Sequence, residues 1–142
     1  MSERVRGALR QAVVTRARNC CEYCGLPDDV LQLSHEPDHI VATQHGGLTA
    51  LANLAYTCFR CNRYKGPNLS SIDPETSLIT PLYHPRNDVW TQHFRWEEAW
   101  ITPLTAIGRA TNALLRFNES ERLTLRTNLI RQGRYPFRDR TI

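Results

Sequence analysis

Apolar residues near the start of the chain recur at the spacing of an amphipathic helix. Within residues 4–18, five apolar residues lie close to helical spacing, namely Val5, Leu9, Ala12, Val13 and Ala17. Arginines occupy many of the positions between them. Because residues three and four apart share a face of a helix, the pattern predicts a helix that packs on one side and exposes a basic surface on the other.

The middle of the chain alternates short apolar runs with turn residues. Residues 31–41 and 53–57 each contain a run that favours a β-strand, and a pair of consecutive glycines between them is typical of a loop. Residues 60–66 then predict a short helix that is closed by Gly66. The predicted order is strand, loop, strand, helix.

Beyond residue 66 we expect a turn, an edge strand and an aromatic hairpin. Residues 67–74 are rich in turn-forming side chains, and residues 77–83 predict an edge strand that contains Pro81. Four large aromatic residues follow within a stretch of eleven, namely Trp90, Phe94, Trp96 and Trp100. They predict a β-hairpin that builds a core for the C-terminal part of the chain.

Two helices are predicted towards the C-terminal end. The first begins after Thr105 and ends near Asn118, where the second begins with Asn118 and Glu121 as a capping box. Gly133 closes the second helix. Its inward-facing positions are expected to be Leu123, Thr127 and Ile130.

Length and composition indicate one compact, folded domain. The chain has 142 residues, of which 41% are hydrophobic and 23% are charged, values in the ordinary globular range. No apolar stretch approaches the roughly 20 residues that span a bilayer. The charged N-terminal segment has no apolar run behind it that would make it a secretory signal. We therefore expect a cytoplasmic protein without a membrane partner.

Positive charge is modest overall and is almost entirely arginine. The formal net charge is +4, and Lys65 is the sole lysine. Arginine favours bidentate contacts with phosphate. Scattered arginines ordinarily lie on solvent-exposed faces of helices. In this chain, however, basic residues cluster within residues 4–18 and 60–65, which favours a polyanionic binding partner.

Four of the five cysteines fall into two Cys-x2-Cys pairs, Cys21–Cys24 and Cys58–Cys61. Each pair can present two thiolates from a tight turn to one tetrahedral Zn²⁺, whereas a disulfide or a thiol redox site is the alternative. A zinc ion held by four sulfurs has no position for water and stabilises the fold. Any catalytic residues must therefore lie outside the zinc site. Cys20 is expected to be a small buried thiol.

A candidate site for chemistry lies between and beside these cysteines. Asp38 offers a hard oxygen ligand and Asn62 a carbonyl oxygen, which together suit Mg²⁺ or Mn²⁺, and His39 can accept a proton near neutral pH. Phosphodiester hydrolysis needs an activated water and a cation at the leaving oxygen. Adjacent strand residues point to opposite faces, so Asp38 and His39 share a site only if the strand ends or bulges there. His35 and His45 are expected to serve solvent or loop hydrogen bonds.

Residues 21–66 resemble the HNH nuclease family, which has the ββα-metal fold. The family pattern appears in order as the first cysteine pair, Asp38-His39-Ile40, Gly46-Gly47, Asn53-Leu54, Cys58-Phe59-Arg60-Cys61-Asn62 and Lys65-Gly66. The match covers about a third of the chain. One departure is Ala42, at a position where many members have proline.

The resemblance implies a role for each matched residue. His39 is implied as the general base of a divalent-metal-dependent DNA endonuclease whose products carry a 5′-phosphate and a 3′-hydroxyl. Asp38 and Asn62 are implied to bind the catalytic Mg²⁺ or Mn²⁺, and Asn53 to brace the loop that carries the base. The structural zinc ligands are implied to be Cys21, Cys24, Cys58 and Cys61. Contacts with the DNA backbone are expected from Arg60, Arg63 and Lys65.

The fold class that follows is α+β. We expect a basic amphipathic helix at residues 1–18, a zinc-stapled ββα-metal module at residues 19–72, and an extension at residues 73–142 that packs on the module through a hairpin and two helices. Double-stranded DNA is the expected partner. The sequence leaves three roles open for the extension: it could form a wall of the DNA-binding groove, a homodimer contact or a protein-binding surface. The alternative is a non-catalytic zinc-stabilised nucleic-acid-binding module, which has no reason to keep an acid, a base and an amide at nuclease spacing.

Overall fold

The computed structural model describes residues 4–137 and confirms a mixed α+β fold. Within this part of the chain the helices are α1 (Gly7–Ala17), α2 (Phe59–Lys65), α3 (Trp90–His93), α4 (Ala106–Leu115) and α5 (Ser120–Arg131). The strands are β1 (Glu36–His39), β2 (Leu54–Thr57), β3 (Ser70–Ile72), β4 (Ile79–Pro81), β5 (Phe94–Glu97) and β6 (Trp100–Pro103). They form three antiparallel pairs, β1–β2, β3–β4 and β5–β6. Across residues 4–137 no helix combines the length and apolarity that a membrane crossing needs.

The strand–strand–helix unit predicted for the middle of the chain is formed by β1, β2 and α2. His39 is the last residue of β1 and pairs with Leu54, the first residue of β2. β1 therefore ends at His39, which meets the condition that the strand must end or bulge there if Asp38 and His39 are to share one site. α2 follows β2 after a single residue, and Gly66 closes it with a positive φ of 51°.

α1 packs on β2 through a small apolar cluster. Val13 and Ala17 of the helix are buried with Leu54 and Tyr56 of the strand, and Val5 joins them from the extended residues before the helix. A helix is present within the range predicted at residues 1–18, of which residues 1–3 lie outside the described part of the chain, and its buried residues are Val13 and Ala17. It spans eleven residues, because the backbone just before it is extended and the residue just after it is left-handed.

Two arginines that the sequence predicted on the exposed face of α1 fasten the helix to the module. Arg16 donates to the carbonyl oxygen of Leu51 over 2.8 Å and also to that of Leu54. Arg10 forms an ion pair with Glu36 of β1. These contacts hold α1 across the edge of the β1–β2 pair.

The aromatic hairpin is confirmed as β5 and β6, with Trp90 in the short helix that precedes it. Trp90 stacks on Trp96 with ring centroids 4.3 Å apart, and Phe94 packs edge-on against Phe117. The prediction of a separate core for this part is wrong, because one buried cluster joins it to the cysteine turns. Members from both sides include Cys21, Tyr23, Cys24, Leu26, Phe94, Ile101, Leu115, Phe117 and Leu129.

A shared core has a simple physical reason. The ββα unit with its cysteine turns is too small to bury enough apolar surface alone, and the aromatic side chains of the extension supply what it lacks. The boundaries expected at residues 18–19 and 72–73 stay predictions.

Two local predictions are wrong because distant partners outcompete local signals. The turn predicted over residues 67–74 contains β3, which pairs with β4. The capping box predicted at the start of α5 does not form, since Asn118 Oδ1 accepts from the Ile101 amide over 2.9 Å and its Nδ2 donates to the Ile101 carbonyl over 2.8 Å. Asn118 therefore ties β6 to the turn between α4 and α5.

The predicted inward face of α5 is also wrong. Its buried residues are Arg122, Arg126 and Leu129, whereas Leu123, Thr127 and Ile130 are only half-buried. The helix is thus rotated by one residue, about 100°, from the orientation that its aliphatic side chains indicate. Two guanidinium groups enter the core because they find acceptors there.

Asp73 anchors the segment between β3 and β4 to α4. Its carboxylate is fully buried and accepts two hydrogen bonds from the Arg109 guanidinium, each 2.9 Å long. It also accepts from the Glu75 amide and the Thr76 hydroxyl. These donors, Arg109 first among them, hold the pKa of Asp73 well below its ordinary value.

We predict that Asp73→Asn lowers the melting temperature at neutral pH and flattens its dependence on acid. A depressed carboxyl pKa stabilises the fold fully above the unfolded pKa of about 3.9, and this contribution is lost as the pH falls through the folded pKa. Thermal unfolding from pH 2 to pH 7 measures both effects. Glu75→Gln is the matched control, because that carboxylate also faces Arg109, over 3.3 Å, but is largely exposed. Equal pH profiles for wild type and Asp73→Asn would contradict the prediction.

Candidate functional site

The four paired cysteines converge at one buried point. Cys21 and Cys24 lie in the turn after α1, and Cys58 and Cys61 lie at the start of α2. Their four Sγ atoms lie within 4.8 Å of one another, and the Cys24 and Cys58 sulfurs are 3.7 Å apart. A tetrahedral zinc with Zn–S bonds of about 2.3 Å separates its sulfurs by about 3.8 Å. The residues present therefore fit a four-cysteine zinc site.

The environment of this cluster includes polar groups that the sequence did not reveal. Arg122 of α5 donates from its guanidinium to Cys61 Sγ over 3.0 Å. Burial raises the pKa of Cys61 well above its ordinary value, and the charge of Arg122 opposes that rise. Tyr135 donates its hydroxyl hydrogen to the Cys24 carbonyl over 2.7 Å. The fifth cysteine, Cys20, is buried outside the cluster, as expected.

Asp38 and His39 line one cleft at the end of β1. The cleft has a volume of about 440 Å³, and its walls are Asp38, His39, Ala42, Thr43, Gln44, Gly66 and Pro67. The two side chains reach the same cleft because β1 ends at His39. The imidazole of His39 is almost fully buried, and its Nε2 lies 2.9 Å from the Thr49 hydroxyl oxygen. Thr49 had no signal in the sequence, since a threonine in a loop is ordinary.

The carboxylate of Asp38 is suited to a cation. Burial raises its pKa, which the nearby charges of Lys65 and His39 oppose. Asp38 Oδ2 is buried and accepts no hydrogen bond from residues 4–137, although the Lys65 ammonium lies 3.5 Å away. A buried carboxylate oxygen without a hydrogen-bond donor is uncommon in folded proteins, and a bound cation is one arrangement that satisfies it.

The expectation that Lys65 faces the DNA backbone is wrong. Its side chain is only 2% exposed, and its ammonium donates to the carbonyl oxygens of His39 over 3.3 Å and Gly66 over 3.4 Å. Lys65 follows Cys61 by four residues, so it lies on the face of α2 that packs inward. Its charge joins α2 to the end of β1 and balances Asp38.

The other three residues of α2 that were expected to bind metal or DNA are Asn62, Arg60 and Arg63, and they lie in different environments. Asn62 is half-buried and lies three residues before Lys65, and its backbone belongs to the helix. Arg60 forms an ion pair with Glu121 and lies 3.7 Å from a Glu119 carboxylate oxygen, so acidic groups of α5 and its cap already engage its charge. Arg63 is exposed and is the cation of this group most accessible to a polyanion.

Asn53 fixes the loop that follows His39. Its Oδ1 accepts from the Val41 amide over 2.9 Å, and its Nδ2 donates to the carbonyl oxygens of Val41 and Leu48 over 3.0 Å and 2.9 Å. Gly47 lets this loop close, because a Cβ there would lie 1.7 Å from the Val41 carbonyl oxygen. The loop between β1 and β2 is thus pinned at both ends beside the cleft.

Neither secondary histidine contributes to the cleft. His35 is fully buried and its Nε2 lies 2.8 Å from the Leu26 carbonyl oxygen, while the ring packs against Tyr56. His45 is exposed in a short 3-10 turn. Both settings agree with the expectation of loop or solvent hydrogen bonds.

The region that contains the paired cysteines, Asp38 and His39 matches a known protein family. Residues 21–68 match the family model described as HNH endonuclease. The chain therefore carries an HNH endonuclease domain, which confirms the resemblance drawn from its motifs. No curated protein and no solved structure matches the chain. The HNH domain associates the chain with a nuclease family, and the cysteine cluster fits structural zinc.

We predict that Asn53→Ala destabilises the protein by roughly 1–3 kcal/mol, because it leaves a backbone amide and two carbonyls of the loop without their partner. Urea unfolding measures the loss, and amide hydrogen exchange at Val41 should accelerate more than exchange in α5. Asn128→Ala is the control, since that asparagine is exposed on α5. An unchanged exchange rate at Val41 would show that Asn53 does not hold the loop.

Proposed function

We propose that this protein is a divalent-metal-dependent HNH endonuclease that hydrolyses a phosphodiester bond of DNA with His39 as general base. The observation that carries the proposal is the meeting of Asp38 and His39 in one cleft beneath a pinned loop, within the HNH domain. A buried histidine can lower the barrier to hydrolysis by taking a proton from the attacking water.

The hydrogen bond between the His39 imidazole and the Thr49 hydroxyl would orient the base. We infer that His39 Nε2 donates its proton to the Thr49 hydroxyl oxygen, 2.9 Å away. That tautomer leaves the lone pair on Nδ1, which then accepts the proton of the water. Thr49 acts through His39 and is a positioning residue.

Asp38 and Asn62 would hold the catalytic Mg²⁺ or Mn²⁺. When bound, such a cation neutralises negative charge on the phosphate and on the leaving oxygen. Lys65 favours the ionised form of Asp38, and Asn53 holds the loop after His39 at a fixed position. Arg63, on the exposed side of α2, would contact the sugar-phosphate backbone of double-stranded DNA without reading its sequence.

A non-catalytic zinc-stabilised nucleic-acid-binding module is the second candidate. One observation favours it: the Lys65 ammonium already lies 3.5 Å from Asp38 Oδ2, so a divalent ion would have to share the carboxylate with a cation of the protein. In that case the cleft would hold an internal ion pair, and Arg63 would bind nucleic acid without cleavage. A cleavage assay separates the two candidates.

We predict that the wild type nicks or linearises supercoiled plasmid with Mg²⁺ or Mn²⁺ and that His39→Ala lowers the rate by roughly 100-fold or more. The product ends should carry 5′-phosphate and 3′-hydroxyl groups, which end-labelling detects. His45→Ala is the matched control, because His45 is an exposed histidine of the same loop. If the wild type binds DNA and retains zinc but does not cut with any divalent metal, the binding module is the better description.

We predict that Thr49→Val lowers kcat by roughly 10–100-fold while DNA affinity stays unchanged, because the imidazole loses the acceptor that fixes its orientation. Thr49→Ser keeps the hydroxyl and should restore most of the rate. Single-turnover cleavage and a separate binding titration measure the two quantities. Equal rates for Thr49→Val and Thr49→Ser would remove Thr49 from the mechanism.

A further inference from the structure

Arg122 brings a positive charge from α5 into contact with the cysteine cluster. Its guanidinium lies 3.0 Å from Cys61 Sγ and 3.9 Å from Cys58 Sγ. The same group donates to the carbonyl oxygens of Leu115 over 2.6 Å and Arg116 over 3.2 Å, at the end of α4. Arg122 therefore joins the cysteine sulfurs to the junction of the last two helices.

Arg126 lies one helical turn further along α5 and is among the most deeply buried side chains of the described residues. It donates to the carbonyl oxygens of Ala99 over 2.8 Å and Phe117 over 2.7 Å, and to Asn118 Oδ1 over 3.1 Å. All three partners are neutral. A cavity of about 200 Å³ beside the cluster is lined by Cys24, Cys58 and both buried arginines, so Arg126 borders the same space as two of the cysteines.

The two buried cations lack the usual counter-charge. In residues 4–137, neither guanidinium forms an ion pair with a carboxylate. An isolated charge in the protein interior is strongly unfavourable unless an opposite charge lies nearby. Four thiolates around one Zn²⁺ carry a net charge of two negative units, which equals in size the charge of Arg122 and Arg126 together.

We propose that Arg122 and Arg126 are the counter-charges of the zinc tetrathiolate, so that zinc binding in the HNH domain and docking of α5 stabilise each other. With zinc in place, the negative cluster and the two cations satisfy one another within the shared core. Removing zinc takes away the ion that would hold the four thiolates together beside Arg122. The proposal rests on zinc binding and is independent of nuclease activity.

The first test is zinc affinity, measured on the full chain by competition with a chromophoric chelator. Arg122→Met should weaken zinc binding by roughly 10–100-fold, the usual effect of removing an outer-shell partner of a metal ligand. Arg122→Lys should retain part of the affinity, because it keeps the charge but changes the geometry. Arg131→Met is the matched control, since it removes an exposed arginine from the same helix. Equal zinc affinity for the wild type and a folded Arg122→Met would overturn the proposal.

The second test separates charge compensation from ordinary packing. Thermal unfolding of Arg126→Met and wild type is compared in zinc-loaded and chelator-treated protein. Charge compensation predicts that the substitution destabilises the zinc-loaded form and leaves the zinc-free form equally or more stable, because an uncompensated buried cation has been removed. A packing role alone predicts the same loss in both forms, which would contradict the proposal. Arg126→Gln, which keeps a hydrogen-bonding amide without the charge, provides the same comparison if Arg126→Met does not fold.

Discussion

The convergence of four cysteine sulfurs is the constraint on which the rest of the structure depends. It joins the turn after α1 to the start of α2, and all four Sγ atoms lie within 4.8 Å of one another. Residues 25–57 are closed into a loop by this junction, and β1 and β2 pair within it. Because each strand has only four residues, neither would be stable without such a closure.

The cleft lies where the constrained elements end. His39 closes β1, the following loop is pinned by Asn53, and Gly66 closes α2. Ends of elements leave room for a substrate, while the strand and helix behind them fix the side chains. Lys65 is the link between the two elements, since its ammonium contacts both the Asp38 carboxylate and the His39 carbonyl.

The extension completes the domain. Its aromatic residues share a core with the cysteine turns, and Arg122 and Tyr135 make direct hydrogen bonds to the sulfur of Cys61 and the carbonyl of Cys24. In a domain of this size, the charge of a buried metal cluster must be balanced by residues close to it. Arg122 and Arg126 on the inner face of α5 supply positive charge, and their hydrogen bonds also fix the position of the helix.

The sequence by itself determined the features that depend on local spacing. The two Cys-x2-Cys pairs and the adjacent Asp38 and His39 can be read from neighbouring residues, and the resemblance to the HNH family that they indicated agrees with the family match over residues 21–68. Tertiary structure alone decided the features that depend on distant partners. From the sequence alone, Lys65 and Arg122 would be placed on the surface. In the structure both are buried, because the Asp38 carboxylate lies beside Lys65 and the Cys61 sulfur accepts a hydrogen bond from Arg122. Hydrophobic pattern could not predict this, since it assigns charged side chains to solvent unless their partners are known.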